Sequence, residues 1–260
     1  METPQWAESV QYARIAVALR PASAFARLRL AHYLERDGKP DESLAEIHKA
    51  IELDPINSPA HAELAVTLHR KGKLEEAIAE YRKAIELDPK LALTHTNLGM
   101  ALRQQGKLNE AVACFRKAVE LMPKSVGPIT NLATLLAVTA DPKVRDAAEA
   151  LKLARSGVEL GPSDASAWQS LGWALYATGA WKESVEVFKK SIDLQQEPKG
   201  GDSGQWFGLA AAHARLGDKE EARKWYGRAV QWMDNNAPQS EKLRSCRAEA
   251  EQAMNVKSEK

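Results

Sequence analysis

Cysteine is scarce in this chain of 260 residues, where Cys114 and Cys246 are the whole complement. Two thiols so far apart form neither a disulfide framework nor a thiolate metal site, and they point to a reducing, cytoplasmic compartment. Net charge is also nearly absent: 36 Lys and Arg face 35 Asp and Glu, which gives +1. No bulk positive field draws the chain to nucleic acid. Long apolar runs are missing too. The longest, such as residues 132–140, fall far short of the roughly 20 residues a membrane span needs, and the opening METPQWAESV does not have the layout of a secretion signal. Gly200 and Gly201 follow no strand and open no nucleotide motif, so no cofactor is expected.

What the chain has instead is a beat. Leucine followed by Ala or Gly recurs at Leu30, Leu64, Leu98 and Leu132, each 34 residues from the last, and again at Leu171 and Leu209. Pro21, Pro55, Pro89, Pro123 and Pro162 keep time with them, and Gln196 and Asp234 stand in at the last two places. Proline lacks the amide a helix needs and restricts the residue before it, so each proline ends a helix. Midway between come Gly38, Gly72, Gly106, Gly179 and Gly217, suited to the left-handed turn that closes a helix. The unit is therefore helix, turn, helix, proline. Small residues such as Ala65, Gly99, Ala77, Ala111 and Ala222 mark close helix crossings. Tyr81, Phe115, Phe188 and Tyr226, then Ala84, Ala118, Ser191 and Ala229, follow at steps of four and three on one helical face.

A leucine-glycine pair, a turn glycine, an alanine, an aromatic, an alanine and a proline in this order resemble the tetratricopeptide repeat family, whose period is 34. KGKLEEAIAEYRKAIELDP and QGKLNEAVACFRKAVELMP carry the likeness most closely, and it extends over nearly the whole chain. The resemblance implies an all-α, right-handed α-solenoid of tandem helix-turn-helix repeats in which no unit buries its apolar face alone. The frame places a half repeat at 5–21, with only its second helix, and full repeats at 24–57, 58–91, 92–125, 126–164, 165–198 and 203–236. A C-terminal capping helix at 238–255 carries the stripe Leu243, Cys246, Ala250 and Met254 and closes a single domain of 1–260. Two longer intervals, 39 residues from Leu132 to Leu171 and 38 from Leu171 to Leu209, locate a longer turn near Ala140 to Asp146 and a loop at PKGGD. The mid-repeat start favours a fragment of a longer protein over a natural N-terminal cap.

No residue pattern carries recognisable chemistry, so the chain is read as non-catalytic. His61 and His95 hold equivalent places three residues before their leucines and are assigned to packing, since structural zinc needs four ligands. Trp168 and Trp206 take the same bulky place and are assigned to the core. First helices in this family line the concave surface, which makes Arg70, His69, Arg103, Asn97, Asn131, Trp173 and Tyr176 the candidate peptide-binding residues. Asn97 and Asn131, one repeat apart, resemble the asparagine ladder of O-GlcNAc transferase arrays and would contact a peptide backbone. Arg70 and Arg103 would attract acidic groups. Trp173 either accepts an apolar side chain with Tyr176 or packs on Thr134 or Val138. The carboxylate clamp that some family members use for acidic chaperone tails does not fit, because Ala62 and Val66 stand where it needs Lys and Asn, and Gly127 and Asn131 where it needs Lys and Arg.

The expected role is a scaffold that binds a protein or peptide. LGDKEEARKWYGRAVQWMDNN also resembles the repeat tails of large bacterial multidomain proteins, which implies the alternative of a regulatory or substrate-recruiting arm of a kinase or glycosyltransferase fusion. A third reading is self-assembly, a homo-oligomer stacked through Trp6, Val10 and Val17 of the N-terminal half repeat.

Overall fold

A computed structural model describes residues 4–195, 203–237 and 240–255, and among these it shows fourteen α-helices and no strand. Gln196, the PKGGD loop and Pro238 lie outside the described residues. The chain divides into two compact units, residues 1–105 and 106–260.

The first unit holds α1 (Pro4–Leu19), α2 (Ala24–Arg36), α3 (Pro40–Leu53), α4 (Ser58–Arg70), α5 (Leu74–Leu87) and α6 (Ala92–Gln104). Each helix packs on the next in chain order. Helices of 13 to 16 residues are marginal alone, so their stability comes from these lateral contacts. Their starts are chemically marked. Ser23 and Asn57 accept hydrogen bonds from the Ala26 and Ala60 amides, at 3.2 and 3.1 Å, each satisfying a donor that the first turn leaves orphaned. All five turn glycines adopt positive φ, Gly72 at 75° with open space where a side chain would stand.

The repeated small residues do what their spacing predicts. Ala31, Ala65, Ala77, Ala84 and the Tyr81 ring are buried where helices cross. Ser43 occupies the place of Ala77 one repeat earlier, and its hydroxyl donates to the Ala31 carbonyl at 2.8 Å. A polar residue is tolerated at this crossing because it finds an acceptor there.

The second unit holds α7 (Leu108–Leu121), α8 (Val126–Val138), α9 (Ala147–Leu160), α10 (Ala165–Ala177), α11 (Trp181–Leu194), α12 (Ser203–Leu216), α13 (Lys219–Asn236) and α14 (Glu241–Asn255). Within it, α8, α10 and α12 are neighbours in one layer, backed by α9, α11 and α13. The longer turn expected after Val138 is present. Residues 139–146 leave the helix, Val144 is buried, and Asp146 caps α9 by accepting from the Glu149 amide at 2.9 Å. Ser184 repeats the Ser43 device, donating to the Gly172 carbonyl at 2.8 Å. Phe188 fills the crossing so tightly that Gly172 and Gly208 have no room for a Cβ, which would stand 2.7 and 2.2 Å from its ring.

Candidate functional site

One polar contact recurs at the entrance of the first helices. Three residues before the repeat leucine, a side chain reaches back to the carbonyl of the proline that ended the preceding helix. Arg27 donates to Pro21 at 2.8 Å, His61 to Pro55 at 3.1 Å, His95 to Pro89 at 3.0 Å, and Trp168 to Pro162 at 2.8 Å. The bond ties the chain between units to the first turn of the next helix. His61 and His95, expected to pack, are indeed buried and do so through this bond. His61 also places Nδ1 2.6 Å from the Glu80 carboxylate. Trp168 departs from its assignment to the core: it is only half-buried and lies under the Lys190 ammonium, 4.5 Å from the ring centre, because its indole N–H is held at the surface by Pro162.

In the first unit the candidate residues gather on α4 and α6. His69 and Arg70 end α4. Asn97 and Arg103 stand three residues before and three after Met100 on α6, so they flank one stripe, and all three are half-buried. The ends of successive first helices are cross-linked. Arg70 donates to Glu35 of α2 at 2.7 Å, and His69 Nε2 lies 2.9 Å from Gln104 Oε1 of α6. Arg70 is thus already paired, though its side chain is 62% exposed. Such an exposed pair is weak, and an incoming carboxylate competes with Glu35 rather than meeting a bare cation.

At the start of the unit, Val10 is buried against Leu30 and Leu34, and Val17 packs beside it. Trp6 stacks on Tyr33 at 6.4 Å and under Arg36. The face chosen for self-stacking is therefore turned inward. The apolar side chains left outside are Tyr12, Ile15, Leu19 and Phe25, and three of them (Tyr12, Leu19, Phe25) border a cleft with Arg20 and Arg29.

The second unit holds Asn131, Trp173 and Tyr176. Asn131 is half-buried on α8. Trp173 is 0% exposed, its ring edge-on to Phe188 at 5.5 Å and to Tyr176 at 5.8 Å, and Tyr176 is 4% exposed. Neither presents a surface to a partner, so the aromatic patch expected on the groove is interior. The packing alternative for Trp173 holds, and its ring partners are Phe188 and Tyr176.

The reason is α14. α12 packs on the second helices to either side of it, α11 and α13; α14, which follows α13 in the chain, instead lies mainly along α12, touches α13 less and reaches α8. Leu243, Cys246 and Ala250 of its expected stripe are buried, and Ala253 completes it in place of Met254, which is half-buried. Arg145, in the turn after α8, holds Glu249 with two bonds of 3.2 and 3.3 Å, and Lys242 donates to Gln169 of α10 at 3.2 Å. Arg215 donates to the Tyr176 hydroxyl at 3.2 Å. Burial raises the Tyr176 phenol above its ordinary range; the Glu249 carboxylate beside it adds to the rise, and Arg215 opposes it. The helix expected to cap the end of the stack is folded back over the layer of first helices.

Sequence reasoning missed Arg145, Glu249, Gln169 and Lys242. The available signal lay in the first helices themselves. VGPITNLATLLAV and ASAWQSLGWALYA carry no charge, whereas AFARLRLAHYLER and SPAHAELAVTLHR do. A helix apolar all round is covered on both sides.

Among the described residues no three His, Cys, Asp or Glu side chains gather as metal ligands, and no helix is long and apolar enough to cross a membrane.

Comparison with curated proteins finds no match. Among solved structures the chain is similar to pilF of Pseudomonas aeruginosa, at 20% identity and TM-score 0.62 over 87% of this chain and 97% of that one. PilW, a widely conserved type IV pilus biogenesis factor, matches at 20% identity and TM-score 0.65 over 85% and 97%. YrrB, a TPR protein with an unusual peptide-binding site, matches at 22% identity and TM-score 0.57 over 70% and 92%. At these identities the likeness is one of fold. Profiles described as TPR repeat or tetratricopeptide repeat match residues 49–79, 67–102, 92–125, 138–198 and 204–236. With the 34-residue beat, the positive-φ turns and the paired helices, they show that the chain belongs to the tetratricopeptide repeat family.

Proposed function

We propose that the chain is a non-catalytic interaction scaffold whose first-helix layer in residues 1–105 binds an extended segment of a partner protein. The observation that carries this reading is the half-buried stripe of Asn97, Met100 and Arg103 on α6, beside the half-buried His69 and the exposed Arg70 that end α4. The Asn97 amide both donates to and accepts from an extended backbone. Arg103 and Arg70 favour a segment with carboxylates, and Met100 takes an apolar side chain. The peptide site named for YrrB supports the class of function for this fold. A peptide library displayed on phage and selected on the intact chain tests it. Selected peptides should be acidic and should bind Asn97→Ala/Arg103→Ala about tenfold more weakly or worse. Unchanged binding by that variant would refute the site.

Tyr12 and Leu19 of α1 and Phe25 at the start of α2, each more than two-thirds exposed, favour a second reading, self-association through the outer face of α1 and the first turn of α2. The third reading, an arm of a larger enzyme, rests on the likeness of residues 216–236 to repeat tails alone.

A further inference from the structure

The layer of α8, α10 and α12 is a mostly apolar wall without acids and with cationic edges. These three helices contain no acidic residue, and the cations facing α14 at the edges of the wall are Arg145 and Arg215. What covers the wall is an amphipathic helix of matching chemistry. The inward stripe of α14 is narrow, three of its four residues being Cys or Ala, and its single inward carboxylate, Glu249, is 6% exposed and meets Arg145. Its outer face carries Arg244, Ala248 and Gln252, all exposed. The helix supplies little apolar bulk of its own, and Leu243 is its one large buried aliphatic side chain. Most of the recognition resides in the shape of the wall and in charge-assisted bonds, Arg145 to Glu249 and Lys242 to Gln169 on the wall side and Tyr226 to Glu251 on the α13 side.

We propose that this wall is a docking surface for an amphipathic helix of a partner protein, one with a stripe of small apolar residues and a carboxylate placed to meet Arg145, and that α14 is its displaceable resident occupant. The inference rests on the reading above that first-helix layers of this chain receive partner segments. It extends that reading to the second unit, where the sequence pointed to Trp173 and Tyr176. Those side chains become the floor beneath the docked helix. The carboxylate partner also fits the phenol: Glu249 and Arg215 converge on the Tyr176 hydroxyl, so a helix lacking an acid there would leave two cations facing an apolar cover. Binding costs the partner the displacement of α14, which sets a threshold that only a better-matched helix crosses.

The test uses the intact chain in the Cys114→Ser background, so that Cys246, which is 0% exposed on α14, is the sole thiol and reports undocking. Glu249→Lys sets a cation against Arg145 while leaving the wall intact. Its Cys246 should react with Ellman's reagent on the order of a hundredfold faster than in the parent, and the exchange Arg145→Glu/Glu249→Arg should restore protection. A fluorescein-labelled synthetic peptide of residues 240–255, made with Cys246→Ser, should then bind the Glu249→Lys chain at least about tenfold more tightly than the parent. Cys246 equally protected in all variants would overturn the inference by making α14 a fixed part of the fold, and would leave the site in residues 1–105 standing. Exposed Cys246 with no peptide binding would overturn the inference and, with it, the premise that these layers receive segments. Loss of helicity that the charge exchange does not repair would mean unfolding in place of undocking and would also overturn it. A parent chain that sediments as a dimer with exchanged α14 would make a second copy the occupant and overturn the assignment to another protein.

Discussion

Individual residues in this chain are constrained by how closely two helices approach. Gly208 is the sharpest case, because a Cβ there would stand 2.2 Å from the Phe188 ring, which is itself 0% exposed. Gly208→Ala should destabilise the second unit by about 1–3 kcal/mol, measured by denaturant unfolding. Adding Phe188→Leu should return part of that loss, because the obstruction is the ring. Glu251 is constrained by charge. The Tyr226 hydroxyl first, then the Arg247 guanidinium, hold its carboxyl below the usual value of 4.5, with burial opposing. A depressed carboxylate contributes stability that is complete above the unfolded value and is lost as pH falls through the folded one. The seat of α14 should therefore weaken below about pH 4.5. Labelling of Cys246 against pH checks this, and Glu251→Gln should remove its own share of the acid slope.

At the scale of elements, the first helices are held by a tie that leucine and proline spacing only hints at. Four side chains of three kinds, Arg27, His61, His95 and Trp168, make the same bond to a proline carbonyl six residues back. Ile129 takes the same place without it and is simply buried. The tie therefore adjusts stability without deciding the fold. His95→Ile should cost about 1 kcal/mol in thermal unfolding with no loss of helicity; a collapse of the first unit would show that the bond does more. The helix pairs were legible in the sequence because proline, glycine and alanine mark termini and crossings by local physics. His61 and His95 were correctly read as packing from their position alone. Trp168 was not, since the indole at that place is drawn outward by its own hydrogen bond. The stacking face of α1 was misplaced for a related reason: with one side of the helix packed on α2, the pattern of Trp6, Val10 and Val17 does not say which side.

Across the whole molecule, the two units treat their first helices differently. The layer in residues 1–105 carries charges, cross-linked as Glu35 with Arg70 and capped by the His69 contact to Gln104. The layer in residues 106–260 carries no acid, and its α8 and α10 carry no charge at all; it is covered by α14. Sequence spacing could not reveal the cover, because a helix joined at the end of a repeat array can continue the stack or fold back over it with the same stripe. The complete lack of charge in α8 and α10 was the clue that distinguished them. If the outer face of α1 and the first turn of α2 drive self-association, the mass of the chain in light scattering should rise with concentration, and Tyr12→Asp/Phe25→Asp should abolish the rise. A monomer at every concentration would remove that reading.

Hydroxyl-radical footprinting of the intact chain, read by mass spectrometry residue by residue, tests the contrast between the two layers most directly. Tyr176, Trp173 and Cys246 should be protected together, at rates typical of interior side chains, while Met100 and His69 are oxidised. Oxidation of Tyr176 and Cys246 as fast as Met100 would contradict the account, since it would leave the wall of α8, α10 and α12 open and α14 elsewhere.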